Sequence, residues 1–293
     1  MNRLTVTYYY HSGFSVACGD VLLVFDYWRG EHDELPEECS ITEETLRGFK
    51  KVYVFISHEH PDHYDEIVYT WRDFADVSYI IAADMPPKAR GRRLAAGEGT
   101  ILSEHVSVRA YDSTDLGVSF LVNLDGVNIF HAGDLNFWHW RDESTIREID
   151  EAEAQFKAAV YPLIGEKLQL AFFPVDPRQG QMYDAGANYF IMSVKPQLLV
   201  PMHFWGREDL TGEFARRSRS RQTEIIAMPQ FGSVLDITVN DEGGMTVQLI
   251  RQGIDPWRVS ARAEGEQAVR LENLEGASPF TDTDLPIDLN GGN

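Results

Sequence analysis

Residues 51–66 read KVYVFISHEHPDHYDE. Lys51 to Ile56 form a β-branched and aromatic run that predicts a buried strand. The residues that follow gather three histidines and several acids, with His58, His60, Asp62 and His63 in one short stretch. Such groups are costly beside a core strand unless something offsets their desolvation and repulsion. On an extended segment His58 and His60 face the same side, because alternate residues do. Asp62 and His63 come next, at the mouth of a helix predicted from about Asp62 through YDEIVYTWRDF. Imidazole and carboxylate donors together suit zinc, manganese or iron. Two pairs of donors suggest two ions rather than one. The motif also stands just past the carboxyl end of a strand, where α/β proteins build their sites.

The same strand-then-ligand pattern recurs downstream. In VNIFHAGD, Asp134 follows a strand, and Gly133 before it permits the tight turn that would face the carboxylate inward. In LLVPMHF, His203 directly follows another apolar strand.

Between these landmarks the chain alternates in the manner of an α+β protein. Strands are predicted over Leu4–Tyr10, Phe14–Val16 and Val21–Phe25, then a short helix over Ile41–Phe49 capped by Thr42. The run VSYIIAA predicts a strand, and MPPKARGRRLAAGEGT a loop with a short helix. HVSVRAY, GVSFLVNL and VNIFHAGD predict strands, the last two joined by a hairpin turn at Asp125–Gly126. Helices are predicted over Ser144–Leu163, DAGANYFIMSV and residues 208–223. Strands are predicted at LQLAFFPV, QLLVPMHF, TEIIAM, SVLDITV and TVQLIRQ. A two-sheet core covered by helices on both outer faces fits this order. We expect one domain over 1–255 and an acidic tail over 256–293, partly disordered or wrapped on the domain.

The chain has 293 residues and a formal net charge of −20, from 46 acids against 26 bases. That balance argues against a nucleic-acid partner, which would call for a basic face. The two cysteines, Cys18 and Cys39, form no CxxC pair and suit a reducing compartment. No signal peptide or membrane span is evident, so a cytoplasmic protein is expected. The expected partners are a small-molecule substrate and, at most, further copies of the chain as a homo-oligomer, with no nucleic acid and no membrane.

Taken together, SHEHPDH, HAGD and VPMHF, in this order and spacing, resemble the metallo-β-lactamase superfamily. HSGFSVACGDVLLVFD, ending in Asp26, resembles its opening hairpins. The combination is most similar to the ascorbate-6-phosphate lactonase-like branch, over about residues 4–250. The resemblance implies a four-layer αββα sandwich with a dinuclear site between the sheet edges. It implies His58 and His60 on a first metal, Asp62, His63 and His203 on a second, and Asp134 as the bridge. One departure stands out: the loop AYDSTDLGVSF offers no third histidine for the first metal. Asp115 is the nearest replacement and Asp112 a second, unless both simply make Asx turns. The expected cofactor is zinc, one or two ions, with manganese or iron as alternatives.

Such ions lower the pKa of water toward about 7. The expected activity is therefore hydrolysis of a small ester, lactone or phosphoester. Asp62 or Asp134 would orient the water, and His11 would contact substrate or a ligand carboxylate unless it is a turn histidine. Phe137, Trp138, His139, Trp140 and Trp205 offer an aromatic wall for substrate, or else core packing. Arg178 and Arg141 offer guanidinium groups to an anionic substrate or to surface salt bridges. The alternatives are a redox di-iron protein, a nuclease on the same scaffold, or a non-catalytic metal-binding protein. Di-iron relatives resemble H-x-E-x-D-H, whereas His60 holds the middle position here.

Overall fold

A computed structural model describes residues 1–30, 39–140, 143–218 and 220–251. The tail expected over 256–293 lies outside the described residues. Six strands come first: β1 (Asn2–Tyr10), β2 (Gly13–Cys18), β3 (Val21–Phe25), β4 (Lys51–Ile56), β5 (Val77–Ala82) and β6 (Arg92–Leu94). Seven more follow: β7 (Gly99–Ile101), β8 (Val106–Tyr111), β9 (Ser119–Leu124), β10 (Val127–His131), β11 (Leu170–Pro174), β12 (Leu198–Met202) and β13 (Glu224–Ile225). The chain then returns to the first sheet with β14 (Val234–Val239) and β15 (Met245–Arg251). The first sheet runs β15-β14-β1-β2-β3-β4-β5-β6 and the second β13-β12-β11-β10-β9-β8-β7.

Alternation along the strands separates an inner from an outer face. Phe14, Phe25 and Phe55 of the first sheet meet Phe172 and Phe120 of the second, with Phe14 and Phe172 stacked at 4.2 Å. The next residue, Phe173, points the other way. It meets Phe156 of helix α2 (Ile146–Val160) and Phe190 of helix α3 (Ala185–Ser193). On the opposite flank, Trp71 packs on Tyr27, and Leu46 of the short α1 (Glu43–Arg47) is buried. The result is the αββα sandwich, an α+β fold with four layers. A fourth helix, α4 (Glu208–Arg217), follows β12.

Several element boundaries differ from expectation. No helix begins at Asp62: His60 O accepts from His63 N in a turn, and a 3-10 helix runs over Glu66–Asp73 behind an Asp65 cap. EIVYTWRD is rich in β-branched and aromatic residues, which lose side-chain freedom in an α-helix. The segment 85–100 yields two short strands rather than a helix, α4 stops at Arg217, and only Glu224–Ile225 of TEIIAM pairs. The hairpin at Asp125–Gly126 forms, both residues having positive φ. The Thr42 cap also forms.

What positions the site is the direction of the strands. β3, β4 and β5 are parallel, and so are β10, β11 and β12. Their carboxyl ends reach one shared rim, where hydrogen bonds tie sheet to sheet. Val118 N donates to Ser57 O at 3.1 Å, His203 N donates to His11 O at 3.1 Å, and His131 Nε2 donates to Ser12 O at 2.8 Å. Gly117, beside the first of these, has φ +73, and a Cβ there would lie 1.8 Å from Ser57 O.

Gly117→Ala should therefore destabilise by roughly 2–5 kcal/mol, combining the left-handed φ with overpacking at the rim. Thr145→Ala, which removes the capping box of α2, should cost about 1 kcal/mol. Urea unfolding of the two variants against wild type measures both. Equal midpoints for Gly117→Ala and wild type would exclude a tight rim.

Candidate metal centre

Five of the parallel strands, β3, β4, β10, β11 and β12, deliver a polar residue to the rim as they end. Asp26 follows β3, Ser57 and His58 follow β4, Asp134 follows β10 by a short turn, Asp176 follows β11 and His203 follows β12. His11 sits in the turn between β1 and β2. His11, Asp26, His203 and Trp205 all adopt positive φ, as does Gly133. A left-handed non-glycine residue costs on the order of 1–3 kcal/mol, and such strain collects at functional sites.

Beside a cluster of Asp26, His58 and His63, two groups of donor atoms converge here: His58, His60 and Asp134, and His11, Asp62, His63 and His203. Asp134 stands between them. Its Oδ1 lies 3.0 Å from His63 Nε2 and 3.1 Å from His203 Nε2, while Oδ2 lies 3.5 Å from His58 Nε2. His58 Nε2 is 3.1 Å from His60 Nδ1, and His11 Nε2 is 3.2 Å from Asp62 Oδ2. The structure thus brings His58, His60, Asp62, His63, Asp134 and His203 together and places His11 with Asp62, His63 and His203.

Buried carboxylates hold the imidazoles in position. Asp26 Oδ2 accepts from His63 Nδ1 at 2.8 Å and from Ser57 Oγ at 2.6 Å, and Asp26 Oδ1 accepts from Ser57 N at 2.8 Å. Because the Ser57 proton goes to Asp26, Ser57 Oγ accepts from His58 Nδ1 at 2.9 Å. Asp176 Oδ2 accepts from His203 Nδ1 at 2.9 Å. All three rings thereby turn an Nε2 lone pair toward Asp134, the tautomer that binds metal.

Burial would raise both carboxylates, yet both stay low. The hydrogen bond from His63 and the nearby His131 hold Asp26 below the usual range, and those from His203 and Arg178 hold Asp176 at about 2. Burial, then His203, push His11 down to about 3 against the pull of Asp62, so it is neutral at pH 7. Burial disfavours protonation of His63 and His203, but Asp134 outweighs it and raises both. A cation would compete with a proton for those same lone pairs.

The residues fit a metal on the evidence of their unspent polar atoms. His63 Nε2, His203 Nε2, Asp134 Oδ1 and both ring nitrogens of His11 are buried without a hydrogen-bond partner among the described residues. Each such orphan costs about 1–3 kcal/mol. Ligands at about 2.0–2.1 Å in a tetrahedral shell stand roughly 3.3 Å apart, close to the 3.0 and 3.1 Å separations around Asp134.

Other expected site residues take varied places. Asp115 Oδ2 lies 3.8 Å from His60 Nδ1, with both side chains 40% exposed, at the open edge of the first group. Asp112 is exposed and its Oδ1 accepts from the adjacent Ser113 N. A cleft of about 580 Å³ opens over the donors. Trp138, Trp205, Trp28, Trp140 and Arg178 line it together with His60, Asp62, Asp115 and Asp134. Trp138 Nε1 donates to Asp134 O at 2.9 Å. His139 does not reach this cleft: it is buried beside Phe137 and lines a neighbouring pocket. Its backbone falls one residue past Trp138, which takes the cleft-facing position. Arg141 lies outside the described residues. Sequence reasoning did not find Ser57, Asp176 or Trp28. Asp176 did carry a signal, since it ends an apolar strand just as Asp26 does.

No family model matches the chain. A metal-dependent hydrolase of Ignicoccus hospitalis is 25% identical over 225 residues, which cover 70% of this chain and 84% of the relative. A metallo hydrolase structure from the same archaeon aligns with a TM-score of 0.56 at 18% identity, covering 85% of this chain and 100% of the other. The metallo-β-lactamase fold protein YhfI of Bacillus subtilis aligns at 0.51 and 13% identity, covering 80% and 100%. The chain has the metallo-β-lactamase fold.

Asp26→Asn would place an amide N–H₂ or a weaker acceptor against His63 Nδ1 and Ser57. We expect metal affinity to fall about 10–100-fold, the usual loss for a partner of a ligating histidine. Asp176→Asn should weaken only the position that includes His203. Calorimetric zinc titration of chelator-stripped protein reads both, and wild-type affinity in Asp26→Asn would refute its orienting role.

Proposed function

We propose that the protein is a metal-dependent hydrolase that uses an activated water on a small ester, lactone or phosphoester. The observation that carries this reading is the set of buried, unpartnered lone pairs around Asp134, opening onto a substrate-sized cleft. The names of the relatives support it. The donors are imidazole and carboxylate without thiolate, which suits zinc first, with manganese or iron as alternatives. His58 and His60 would hold one ion and Asp62, His63 and His203 a second, with Asp134 standing between the two groups.

When bound, such cations supply Lewis acidity and water activation at neutral pH. The chain's own residues do the rest. Asp62 is part-exposed in the cleft and ionised, its carboxyl held below the usual range because contacts from His11 and the field of His63 outweigh burial. It is thus able to accept and orient a water proton. His11 contacts Asp62 Oδ2 and steadies it from the buried side. Asp115 borders the open edge at His60 and is offered as the replacement for a third histidine. Trp138 and Trp205 wall the cleft and exclude water from the substrate.

The finer reading, a lactonase of the ascorbate-6-phosphate type, rests on the motif resemblance alone. The lack of a CxxC pair and the acidic charge suit a cytoplasmic enzyme acting on small molecules. No helix among the described residues is long and apolar enough to cross a membrane.

Chelation should abolish hydrolysis of an activated aryl ester or phosphoester, and added zinc, manganese or iron should restore it. The double variant His58→Ala/His60→Ala should lose more than about 100-fold in kcat/KM, beyond the loss that supporting residues carry. Undiminished turnover in that variant would end the proposal. Elemental analysis of the purified protein counts the ions.

A further inference from the structure

Four of the chain's six tryptophans, Trp28, Trp138, Trp140 and Trp205, line the cleft over the donor groups. Trp138 and Trp140 stack at 5.9 Å with 7° between their planes. Set among them is Arg178, the one Lys or Arg among the described cleft-lining residues. Its guanidinium carbon lies 4.9 Å from the centre of the Trp205 ring and 5.8 Å from that of Trp140. Asp176 grips it from one side only. Nε donates to Oδ1 at 3.0 Å and Oδ2 at 2.9 Å, and Nη2 donates to Oδ2 at 2.6 Å. Nη1 has no hydrogen-bond partner among the described residues, and the side chain is 49% exposed.

A surface salt bridge would need none of this. An exposed pair contributes little and leaves its arginine mobile. Here the carboxylate is fully buried and the guanidinium plane is fixed by two aromatic faces, so its remaining N–H groups are held in advance of binding. The free edge is therefore a preorganised oxyanion receptor. It must act locally, because the chain carries −20 and the cleft itself adds Asp62, Asp115 and Asp134. Over more than about 10 Å that field is screened, and at contact distance the guanidinium decides.

We infer that Arg178 selects the substrate: the cleft takes a molecule with a flat or ring-shaped apolar body, stacked on the tryptophans, and an oxyanion group, carboxylate or phosphate, bound at the free edge of Arg178. This rests on the hydrolase reading and narrows it to anionic esters, lactones or phosphoesters. Arg178 acts on specificity, since it reaches substrate at a group other than the one that reacts.

The test uses metal-loaded protein and three aryl esters that differ in one substituent: none, a carboxylate, or a phosphate. Wild type should prefer one or both anionic esters over the neutral one in kcat/KM. Arg178→Met should reduce that preference about 10–100-fold, chiefly through KM, the loss that follows from removing a hydrogen bond to a charged group. Arg178→Lys should recover part of it. The two anionic esters tell carboxylate from phosphate. If Arg178→Met slows neutral and anionic esters alike, Arg178 only braces Asp176 and the inference fails. If wild type hydrolyses none of them, the hydrolase reading fails instead. The inference is then decided by binding, read as tryptophan fluorescence on titration with phenyl phosphate, benzoate and benzyl alcohol. Tighter binding of an anion than of the alcohol, lost in Arg178→Met, supports it, and equal binding overturns it.

Discussion

One buried carboxylate, Asp26, holds the rim of this protein together. It stands at the end of β3 with φ +39, a conformation that a side chain rarely tolerates. In return it receives the backbone N–H and the hydroxyl of Ser57, at the end of β4, and the ring N–H of His63. Through the Ser57 hydroxyl it also orders His58. Asp26 thus sets one imidazole in each donor group and fastens two neighbouring strand ends. A buried charge is tolerable only when hydrogen-bonded and paired. Three direct donors meet that condition here, and neutralising Asp26 would leave them mismatched in a dry environment.

The rest of the site follows from topology. Two parallel runs, one in each sheet, finish at the same rim, so separate strand ends supply Asp26, His58, Asp134, Asp176 and His203 without long loops. Sheet-to-sheet hydrogen bonds at Ser57, His11 and Ser12 keep the two halves in register. The close approach leaves no room for a side chain at Gly117 or Gly133, where a Cβ would meet Ser57 at 1.8 and 2.8 Å. Packing in the interior, carried by Phe14, Phe25, Phe55, Phe120 and Phe172, supplies the stability against which this local strain is set.

Much of this was legible in the sequence, and the exceptions have physical reasons. The strands announced themselves by β-branched and aromatic runs, and the donors His58, His60, Asp62, His63, Asp134 and His203 by standing where those runs stop. Helical character after the motif was not legible. EIVYTWRD satisfies an amphipathic pattern, yet its branched and aromatic residues settle into a 3-10 helix capped by Asp65. His139 looked equivalent to Trp138 because sequence does not reveal which neighbour a turn aims at the cleft. Asp176 and Ser57 were missed because acids and serines at strand ends are common in turns. Only the fold shows that these two lie against the far nitrogens of His58 and His203. Trp28 is separated from the motif by the segment before α1, so its arrival in the cleft is a tertiary fact.

The two donor groups are unequal, and the inequality bears on the proposed chemistry. His11, His63 and His203 are completely buried, with only Asp62 reaching the cleft. In the other group His60 is 40% exposed and its nearest further acid, Asp115, is equally open. On the proposed reading, His11, His63 and His203 would hold a cation by fixed, buried donors, which would favour tight retention. His60 and Asp115, both half-open to solvent, would hold one less completely. The cleft touches only the outward donors His60, Asp62, Asp115 and Asp134. On the proposed reading, the enclosed ion would therefore be the more permanent, structural member of the pair. The open one would be the point at which substrate enters, with the tryptophans and Arg178 facing it across the cleft.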